Sequence, residues 1–478
     1  MLFSGMARTR LGRVTGSISR TRTRRFYSTG GTSSNTLRYI ATAGVVGVPG
    51  LWWLNAAHDE VPHLNSPPSD QLIAERNLSK DEVTQIISQG AYSFSTMGIA
   101  GVSRYDGTQL ASNSPCEDRF IHGQHPSPWN DGNQWLSWAV FDGHAGWQTA
   151  DLLTKQLMPF VQHSLAAARS VSSKDSAPSD GLVQHAIARA FLNLDDAIVK
   201  TALDTVQSNQ SVYEKVKKLA PAYAGSCALL SMYDPSTSTL HVACTGDSRA
   251  VLGQLGPDGK WELIPLSVDQ SGRNEEEIAR LRKEHPGEEE IVKNGRVLGI
   301  MVSRAFGDCR WKWPLDFQQD MKRRFFGPSP LTPRYDCRTP PYLTAEPVVT
   351  STTIDASKPS FLIMATDGLW DMLSSQQAVD LVGKWLTFQR PGQTKVASNP
   401  QSTYAPFDFG HFDDSLSERF VEERTTVQDD NAAVHLVRNS LGGNHHDLIA
   451  GRLAFSSPFS RNVRDDITVQ VVFFNVPQ

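Results

Sequence analysis

The sequence predicts an α+β protein in which antiparallel strands and amphipathic helices share a core. Apolar residues recur at spacings of three and four in residues 149–170 and 183–206, which is typical of helices packed on a core. Several short apolar runs separated by tight turns predict strands instead. Strands joined by tight turns pair antiparallel, because a parallel pair needs a long crossover connection. We therefore expect antiparallel sheets rather than repeated βαβ units.

The chain presents these elements in a clear order. A first helix is expected in residues 78–90, because Ser79 can cap it and Glu82 lies three residues later. The two longer helices follow, and the strands are expected at residues 226–234, 239–246, 248–255, 361–368 and 467–476. Residues 309–347 and 389–414 break the pattern and are interpreted as surface insertions, since long loops in a compact domain are usually functional or disordered.

Residues 1–27 have the composition of a mitochondrial transit peptide. No acidic residue and no lysine occurs before Asp59, whereas arginine recurs among many serines and threonines. Import sequences need a basic, acid-poor segment that can form an amphipathic helix. We therefore predict cleavage after Tyr27 and a mitochondrial location, with a disordered basic tail as the alternative.

Residues 28–58 are predicted to contain a membrane anchor. The stretch 37–57 carries no charge apart from Arg38 at its edge, and about 20 residues at about 1.5 Å each would cross a bilayer core of roughly 30 Å. Aromatic rings near its ends would favour the membrane interface. A buried or cleaved apolar segment is the alternative. Residues 59–89 are interpreted as a proline-containing linker followed by the N-terminal helix.

Composition argues against several other classes of protein. The formal net charge is -4, so nothing indicates a nucleic-acid partner. The five cysteines are widely spaced and form no CxxC pair, which argues against a zinc ribbon or a disulfide framework. The sequence is that of an ordinary globular protein behind an unusual N-terminus.

Acidic residues stand at the ends of several predicted strands. An apolar run stops at Asp142, Gly143 and His144, and other acids hold comparable positions: Glu117, Asp118, Asp247, Asp367, Asp465 and Asp466. Each alone could be a turn residue or a surface charge. Gathered at one end of a sheet, they would repel each other unless a cation compensated them. Oxygen ligands without a His or Cys cluster suit Mg²⁺ or Mn²⁺ rather than zinc.

Five motifs carry a resemblance to a known family. VFDGHAG, TGDSRAVL, GRVLGIMVSRAFGD, MATDGLWD and RDDITV occur in this order, and over residues 90–478 the chain resembles the metal-dependent type 2C Ser/Thr protein phosphatases. SPCEDR, LRKEHPGEE, TPPYLTAEP and QDDNAAVHLVRNSL resemble the mitochondrial pyruvate dehydrogenase phosphatase branch and its fungal relatives. The resemblance implies a four-layer α-β-β-α sandwich of two antiparallel sheets flanked by helices.

The resemblance also implies roles for individual residues. Asp142 would bridge two Mg²⁺ or Mn²⁺ ions, and the Gly143 carbonyl would bind one of them. The other implied roles are direct ligation by Asp367 and Asp465, binding through metal-held waters by Glu117 and Asp118, binding of a third, weaker metal by Asp247, and general acid catalysis by His144. In RDDITV the first aspartate matches the family ligand, so Asp465 is preferred to Asp466.

This arrangement would explain phosphoester hydrolysis. The two ions would lower the pKa of a shared water, so that hydroxide attacks phosphorus in line while the ions neutralise the phosphoryl charge. Protonation of the leaving serine or threonine oxygen by His144 would contribute about 10²- to 10⁴-fold. One position departs from the family pattern: Asn113 stands where most members carry a phosphate-binding arginine. The phosphate contact at Asn113 would therefore be weaker, or supplied elsewhere.

The implied activity is that of a mitochondrial protein serine/threonine phosphatase whose partner is a phosphoprotein, with the pyruvate dehydrogenase complex implied by the branch. A pseudophosphatase scaffold is disfavoured by the intact metal positions, and a phosphatase of small phosphoesters by the long insertions. A different mitochondrial phosphoprotein stays an alternative substrate. Pyruvate dehydrogenase lies in the matrix, and the sequence leaves open which side of the inner membrane an anchored enzyme would face.

Overall fold

Two antiparallel β-sheets packed face to face occupy the centre of the computed structural model, which describes residues 78–96, 101–171, 179–389 and 420–476. The strands are β1 (Tyr92–Ser95), β2 (Val102–Leu110), β3 (Arg119–Pro126), β4 (Gln134–Phe141), β5 (Gly143–His144), β6 (Gly225–Ser226), β7 (Ala228–Asp234), β8 (Thr239–Thr245), β9 (Arg249–Leu255), β10 (Trp261–Pro265), β11 (Val292–Lys293), β12 (Arg296–Val297), β13 (Phe306–Gly307), β14 (Val348–Thr353), β15 (Ser360–Ala365) and β16 (Ile467–Phe474). One sheet has the order β1-β2-β16-β15-β9-β10 and the other β14-β8-β7-β4-β3. A smaller sheet has the order β13-β6-β5 and contains Gly143 and His144.

Helices cover the outer faces of both large sheets. They are α1 (Lys80–Ser88), α2 (Gln148–Val171), α3 (Asp180–Gln207), α4 (Val212–Tyr223), α5 (Glu275–Glu284), α6 (Leu315–Phe325), α7 (Asp367–Trp370), α8 (Ser375–Phe388), α9 (Ala432–Leu441) and α10 (His446–Ala454). Helices α2 and α3 pack on the five-stranded sheet, and α1, α8 and α9 pack on the six-stranded sheet. The order of layers is therefore helix, sheet, sheet, helix.

The central strand β4 shows why its sequence is continuously apolar. Its side chains alternate between two cores: Trp135, Ala139 and Phe141 pack against the helices, whereas Leu136, Trp138 and Val140 pack against the other sheet. Successive side chains of a strand point to opposite faces, so a strand covered on both sides needs apolar residues at nearly every position. Strand β15 divides its side chains between two cores in the same way.

The structure confirms the predicted fold class and the antiparallel pairing. Helix α1 begins after Ser79, whose side chain forms a capping box with Glu82 as predicted. The interpretation of residues 309–347 as a surface insertion is wrong in part, because this segment contains α6 and buries Trp311 and Trp313. Trp313 is buried in the same core as Met321 and Phe325 of α6, whereas Trp311 is buried in a separate small core with Leu298 and Tyr342. Residues 390–414 lie outside the described ranges.

The predicted N-terminal segments are not among the residues that the structure describes. The transit peptide, the stretch 37–57 and the linker up to residue 77 all precede the first described range. Within the described ranges, no helix is long and apolar enough to cross a membrane. The transit peptide and the anchor therefore stay predictions.

Candidate metal centre

Three aspartates from different parts of the sandwich meet at one end of the two sheets. Asp142 follows β4, Asp247 lies in the turn between β8 and β9, and Asp367 begins α7 just after β15. The register pairs Ala365 of β15 with Arg249 of β9, which places the end of β15 beside the turn that carries Asp247. One carboxylate oxygen from each aspartate lies within 4.8 Å of the other two. The structure thus brings together three of the predicted metal ligands.

The carboxylates of this cluster are buried close to one another, and a bound cation would compensate their negative charges. Burial, followed by the charges of Asp367, Asp118 and Asp247, holds the pKa of Asp142 well above its usual range. Burial and the charge of Asp247 likewise raise the pKa of Asp367. The Oδ2 atom of Asp142 is buried without a hydrogen-bond partner, and such atoms are uncommon in folded proteins. Oxygen ligands, like charges and an unsatisfied carboxylate oxygen together fit a divalent cation.

Asp118 and Glu117 border the cluster with different contacts. Asp118 accepts hydrogen bonds from the hydroxyls of Thr366 and Thr468 at 2.9 and 2.7 Å. Burial and the charge of Asp466 raise its pKa to about 7. Burial also raises the pKa of Glu117. Because Thr366 precedes Asp367 directly, these hydrogen bonds fix the position of Asp118 relative to Asp367 of the cluster.

Gly143 allows two chain segments to approach closely. A Cβ atom at this position would lie 2.3 Å from the carbonyl oxygen of Glu117, a distance that real Cβ contacts do not reach. Any larger residue would push β5 away from the segment that carries Glu117 and Asp118. The predicted metal contact of the Gly143 carbonyl stays a prediction.

The two adjacent aspartates of RDDITV have separate environments. Asp465 forms an ion pair with Arg461, its side chain is 27% exposed, and it lies outside the three-aspartate cluster. Asp466 is buried and accepts hydrogen bonds from the backbone N–H groups of Ser112, Asn113 and Glu117. Burial alone would raise the pKa of Asp466, but these hydrogen bonds lower it. Asp466 therefore organises the segment before Asp118, and ligation by Asp465 stays a prediction.

Asn113 uses its side-chain amide within the protein. The amide nitrogen donates to Glu117 Oε2 at 3.2 Å and to Asp466 Oδ2 at 3.1 Å. An amide carries two N–H donors, so both are already directed at carboxylates. The predicted contact between Asn113 and a substrate phosphate stays untested, and it would have to replace one of these hydrogen bonds.

His144, the predicted general acid, has a buried carboxylate partner. Its Nε2 atom lies 2.6 Å from Oδ2 of Asp308, which directly follows β13. Burial lowers the pKa of His144, but the charge and hydrogen bond of Asp308, with the charges of Asp247 and Glu117, raise it overall. Strand β5 pairs with β6, and β6 with β13, so the small sheet brings the two residues together.

Sequence reasoning missed the role of Asp308 and the residues that support it. The available signal was its position at the end of GRVLGIMVSRAFGD, an acid after an apolar run like Asp142. Asp195 of α3 accepts a hydrogen bond from the N–H of Gly307 at 3.0 Å and pairs with Lys312 at 2.6 Å. Cys227 was missed too, and its thiol donates to Asp247 Oδ1 at 3.2 Å.

Comparison with known proteins places these residues in a family context. The profile of the family described as Protein phosphatase 2C matches residues 104–402. A protein phosphatase 2C homolog of Schizosaccharomyces pombe is 41% identical over 88% of this chain and 89% of its own length. The mitochondrial [pyruvate dehydrogenase [acetyl-transferring]]-phosphatase 1 of Saccharomyces cerevisiae is 35% identical over 78% and 69%, and that of Homo sapiens 29% identical over 83% of each chain. A crystal structure of serine-threonine phosphatase 2C from Toxoplasma gondii aligns with a TM-score of 0.46 and 18% identity, over 80% of this chain and 99% of that chain.

Proposed function

Because this chain belongs to the protein phosphatase 2C family, and is therefore a protein phosphatase, we propose that it is a mitochondrial, Mg²⁺- or Mn²⁺-dependent enzyme that hydrolyses phosphoserine and phosphothreonine. The observation that carries the metal dependence is the cluster of Asp142, Asp247 and Asp367, with its buried and unpartnered carboxylate oxygen. The catalytic domain would comprise residues 90–478.

The residues that would hold the ions are those of the cluster and its border. Asp142, the Gly143 carbonyl, Asp367 and Asp465 would hold two ions, Glu117 and Asp118 would act through waters, and Asp247 would hold a third, weaker ion. When bound, such ions supply a nucleophilic water at neutral pH and compensate the negative charge of the phosphoryl group. The P–O bond to the serine or threonine breaks, and the products are a free hydroxyl and inorganic phosphate.

His144 would deliver the proton that the leaving oxygen needs. Its Nε2 atom is engaged by Asp308, so the proton available for transfer is the one on Nδ1 of the imidazolium. The buried carboxylate stabilises this charged form and fixes the ring. The position of His144, two residues after Asp142, brings the acid to the same site as the cluster.

The substrate that we propose is the phosphorylated pyruvate dehydrogenase component. Support comes from the relatives in yeast and human that are named as phosphatases of this enzyme. The test compares the phosphorylated dehydrogenase, a phosphopeptide with its phosphosite and p-nitrophenyl phosphate, each with Mg²⁺, Mn²⁺ or EDTA. We expect metal-dependent turnover with the highest kcat/KM on the dehydrogenase. Full activity in excess EDTA would contradict the metal centre, and absence of turnover with intact metal binding would favour a pseudophosphatase scaffold.

We also propose that residues 1–27 direct mitochondrial import and that residues 28–58 anchor the mature enzyme at the inner membrane. Their composition supports this proposal: a basic, acid-poor segment precedes an almost uncharged stretch. Sequencing of the mature N-terminus and carbonate extraction of mitochondria test it. A mature chain that begins after residue 57, or that carbonate releases, would contradict the anchor. Protease protection in mitoplasts would decide which side the catalytic domain faces, and a domain facing the intermembrane space would require another phosphoprotein substrate.

A further inference from the structure

We propose that the guanidinium of Arg461 binds the phosphate of the substrate. This inference rests on the proposed function, because it concerns how the same site holds a phosphate group. A phosphate monoester brings negative charge to a site already rich in carboxylates. A positively charged donor at its rim would hold a phosphate oxygen more strongly than a neutral one, and the amide of Asn113 is neutral and already donates to two carboxylates.

A short turn carries Arg461 to the segment that contains Asn113. This 3-10 turn, Phe459–Asn462, is tied down by the hydroxyl of Ser460, which donates to the carbonyl oxygen of Ser112 at 2.5 Å. In return, the hydroxyl of Ser112 donates to the carbonyl of Arg464 at 2.7 Å. Ser460 is fully buried. Arg461 follows Ser460 in this turn. Because Ser460 contacts Ser112, Arg461 lies beside the segment that continues from Ser112 to Glu117 and Asp118.

The Arg461 side chain has the exposure that a phosphate contact needs. It is 43% exposed, and its Nη1 atom pairs with Asp465. A guanidinium presents five N–H donors in a planar fork, so it can hold a carboxylate and a phosphate oxygen together. The charge of Arg461 also reaches the carboxylates of Glu117 and Asp118, where it lowers pKa values that burial raises more strongly.

Two other arginines near the cluster each donate to at least two protein oxygens, whereas the ion pair of Arg461 with Asp465 uses its Nη1 atom. Arg119 donates from Nη1 to the carbonyls of Cys116 and Asp118, and its guanidinium lies over the Trp147 ring. Arg249 forms a two-point contact with Asp269. Both side chains are less exposed than that of Arg461. Of these three cations, Arg461 is therefore the one best placed to receive an incoming anion.

The test measures phosphate binding in variants of the full catalytic protein. Arg461→Ala should raise the inhibition constant of inorganic phosphate, and KM for a phosphopeptide, by about tenfold, with a smaller change in kcat. Arg461→Lys should give constants between those of the unaltered protein and those of Arg461→Ala, because an ammonium keeps the charge but lacks the planar fork. Arg338→Ala is the matched control, since Arg338 is an exposed arginine, 60% accessible, that also pairs with an aspartate. The inhibition constant of inorganic phosphate for Arg338→Ala should equal that for the unaltered protein.

An unchanged inhibition constant in a folded Arg461→Ala protein would overturn the inference. If the Mn²⁺ requirement of that protein also rose, Arg461 would be only a structural partner of Asp465. If no protein in the series turns over the phosphopeptide, the proposed function fails by itself. Titration calorimetry with inorganic phosphate then decides the role of Arg461 without catalysis, and equal phosphate affinity in Arg461→Ala would contradict it.

Discussion

His144 Nε2 and Asp308 Oδ2 lie 2.6 Å apart, although 164 residues separate the two positions in the chain. Asp308 is buried and adopts a left-handed backbone conformation with a φ of 46°. For a residue other than glycine, such a conformation costs about 1–3 kcal/mol, so the surrounding contacts must hold it. The hydrogen bond from Gly307 to Asp195 and the ion pair of Asp195 with Lys312 are contacts of this kind. The geometry identifies Asp308 as a positioning residue for the predicted general acid.

Asp308→Asn should lower kcat on a phosphopeptide by about tenfold, because a neutral amide no longer stabilises the imidazolium. The loss on p-nitrophenyl phosphate should be smaller, since its phenolate needs little protonation to leave. The double variant Asp308→Asn with His144→Ala should be no slower than His144→Ala alone. Additive losses, or equal losses on both substrates, would mean that Asp308 acts independently of His144.

Gly225→Ala should disrupt the same pair by steric overlap. A Cβ atom at Gly225 would lie 2.1 Å from His144 Nε2 and 2.3 Å from Asp308 Oδ2. We expect a loss of phosphopeptide turnover at least as large as that of Asp308→Asn. Gly181→Ala is the matched control: its Cβ meets no neighbouring atom within 4 Å, and alanine in a helix should stabilise α3 by up to about 1 kcal/mol. Unchanged turnover in a folded Gly225→Ala protein would show that the pair is not required.

Asp142→Asn should abolish activity while stabilising the protein in EDTA. Burial and neighbouring carboxylates raise the pKa of Asp142, so its ionised form is unfavourable in the folded state without a cation. Removing one charge relieves this repulsion. Mn²⁺ should raise the Tm of the unaltered protein, since a ligand present at 100 times its Kd stabilises by about 2.7 kcal/mol. Differential scanning fluorimetry with and without Mn²⁺ measures both effects.

The exposed helical residue Asp204 supplies the control for this experiment. Asp204→Asn removes the same charge at an exposed position that is not part of the cluster, and it should keep both the activity and the Mn²⁺-dependent rise in Tm. An Asp142→Asn protein that keeps the full Mn²⁺ effect would contradict the assignment of Asp142 as a ligand.

His435 should make the protein less stable in mild acid. Burial lowers the pKa of His435 to about 4. The positive charges of Arg438 and Lys384 reinforce this effect, and the negative charge of Asp429 opposes it. Its Nε2 contacts the Leu381 carbonyl at 3.0 Å, and its Nδ1 lies 3.2 Å from the amide nitrogen of Asn439. An amide nitrogen can only donate, so the second contact requires an unprotonated Nδ1 and disfavours the imidazolium in the folded state.

The sign of the effect follows from this lowered pKa. In the unfolded chain His435 binds a proton near pH 6.5. The free energy of unfolding that depends on neutral His435 is therefore fully present above that pH and is lost as the pH falls toward 4. Between pH 7 and pH 5 the loss should be roughly 2 kcal/mol. Urea unfolding at both pH values measures it, with His435→Gln as the comparison. An equal loss in that variant would assign the pH dependence to other groups.

The sequence by itself determined the antiparallel sandwich and the three aspartates of the cluster. Apolar runs such as β4 predict strands because burial on both faces demands apolar residues, and this demand is local in the chain. Asp142, Asp247 and Asp367 each stand just after or between such runs, so their positions at strand ends are also readable locally. The capping box of Ser79 and Glu82 has the same character, since both partners lie within one helical turn.

Only the tertiary structure decided which distant residues these aspartates and His144 meet. The partner of His144 is 164 residues away, and the register of the small sheet sets their distance. The amide of Asn113 turns toward Glu117 and Asp466, and a turn near the C-terminus brings Arg461 to the same rim. No local pattern encodes such contacts, because they depend on how the separate segments pack in three dimensions. For the same reason, residues 309–347 could be interpreted as a surface loop, although the structure buries Trp311 and Trp313 in two separate cores.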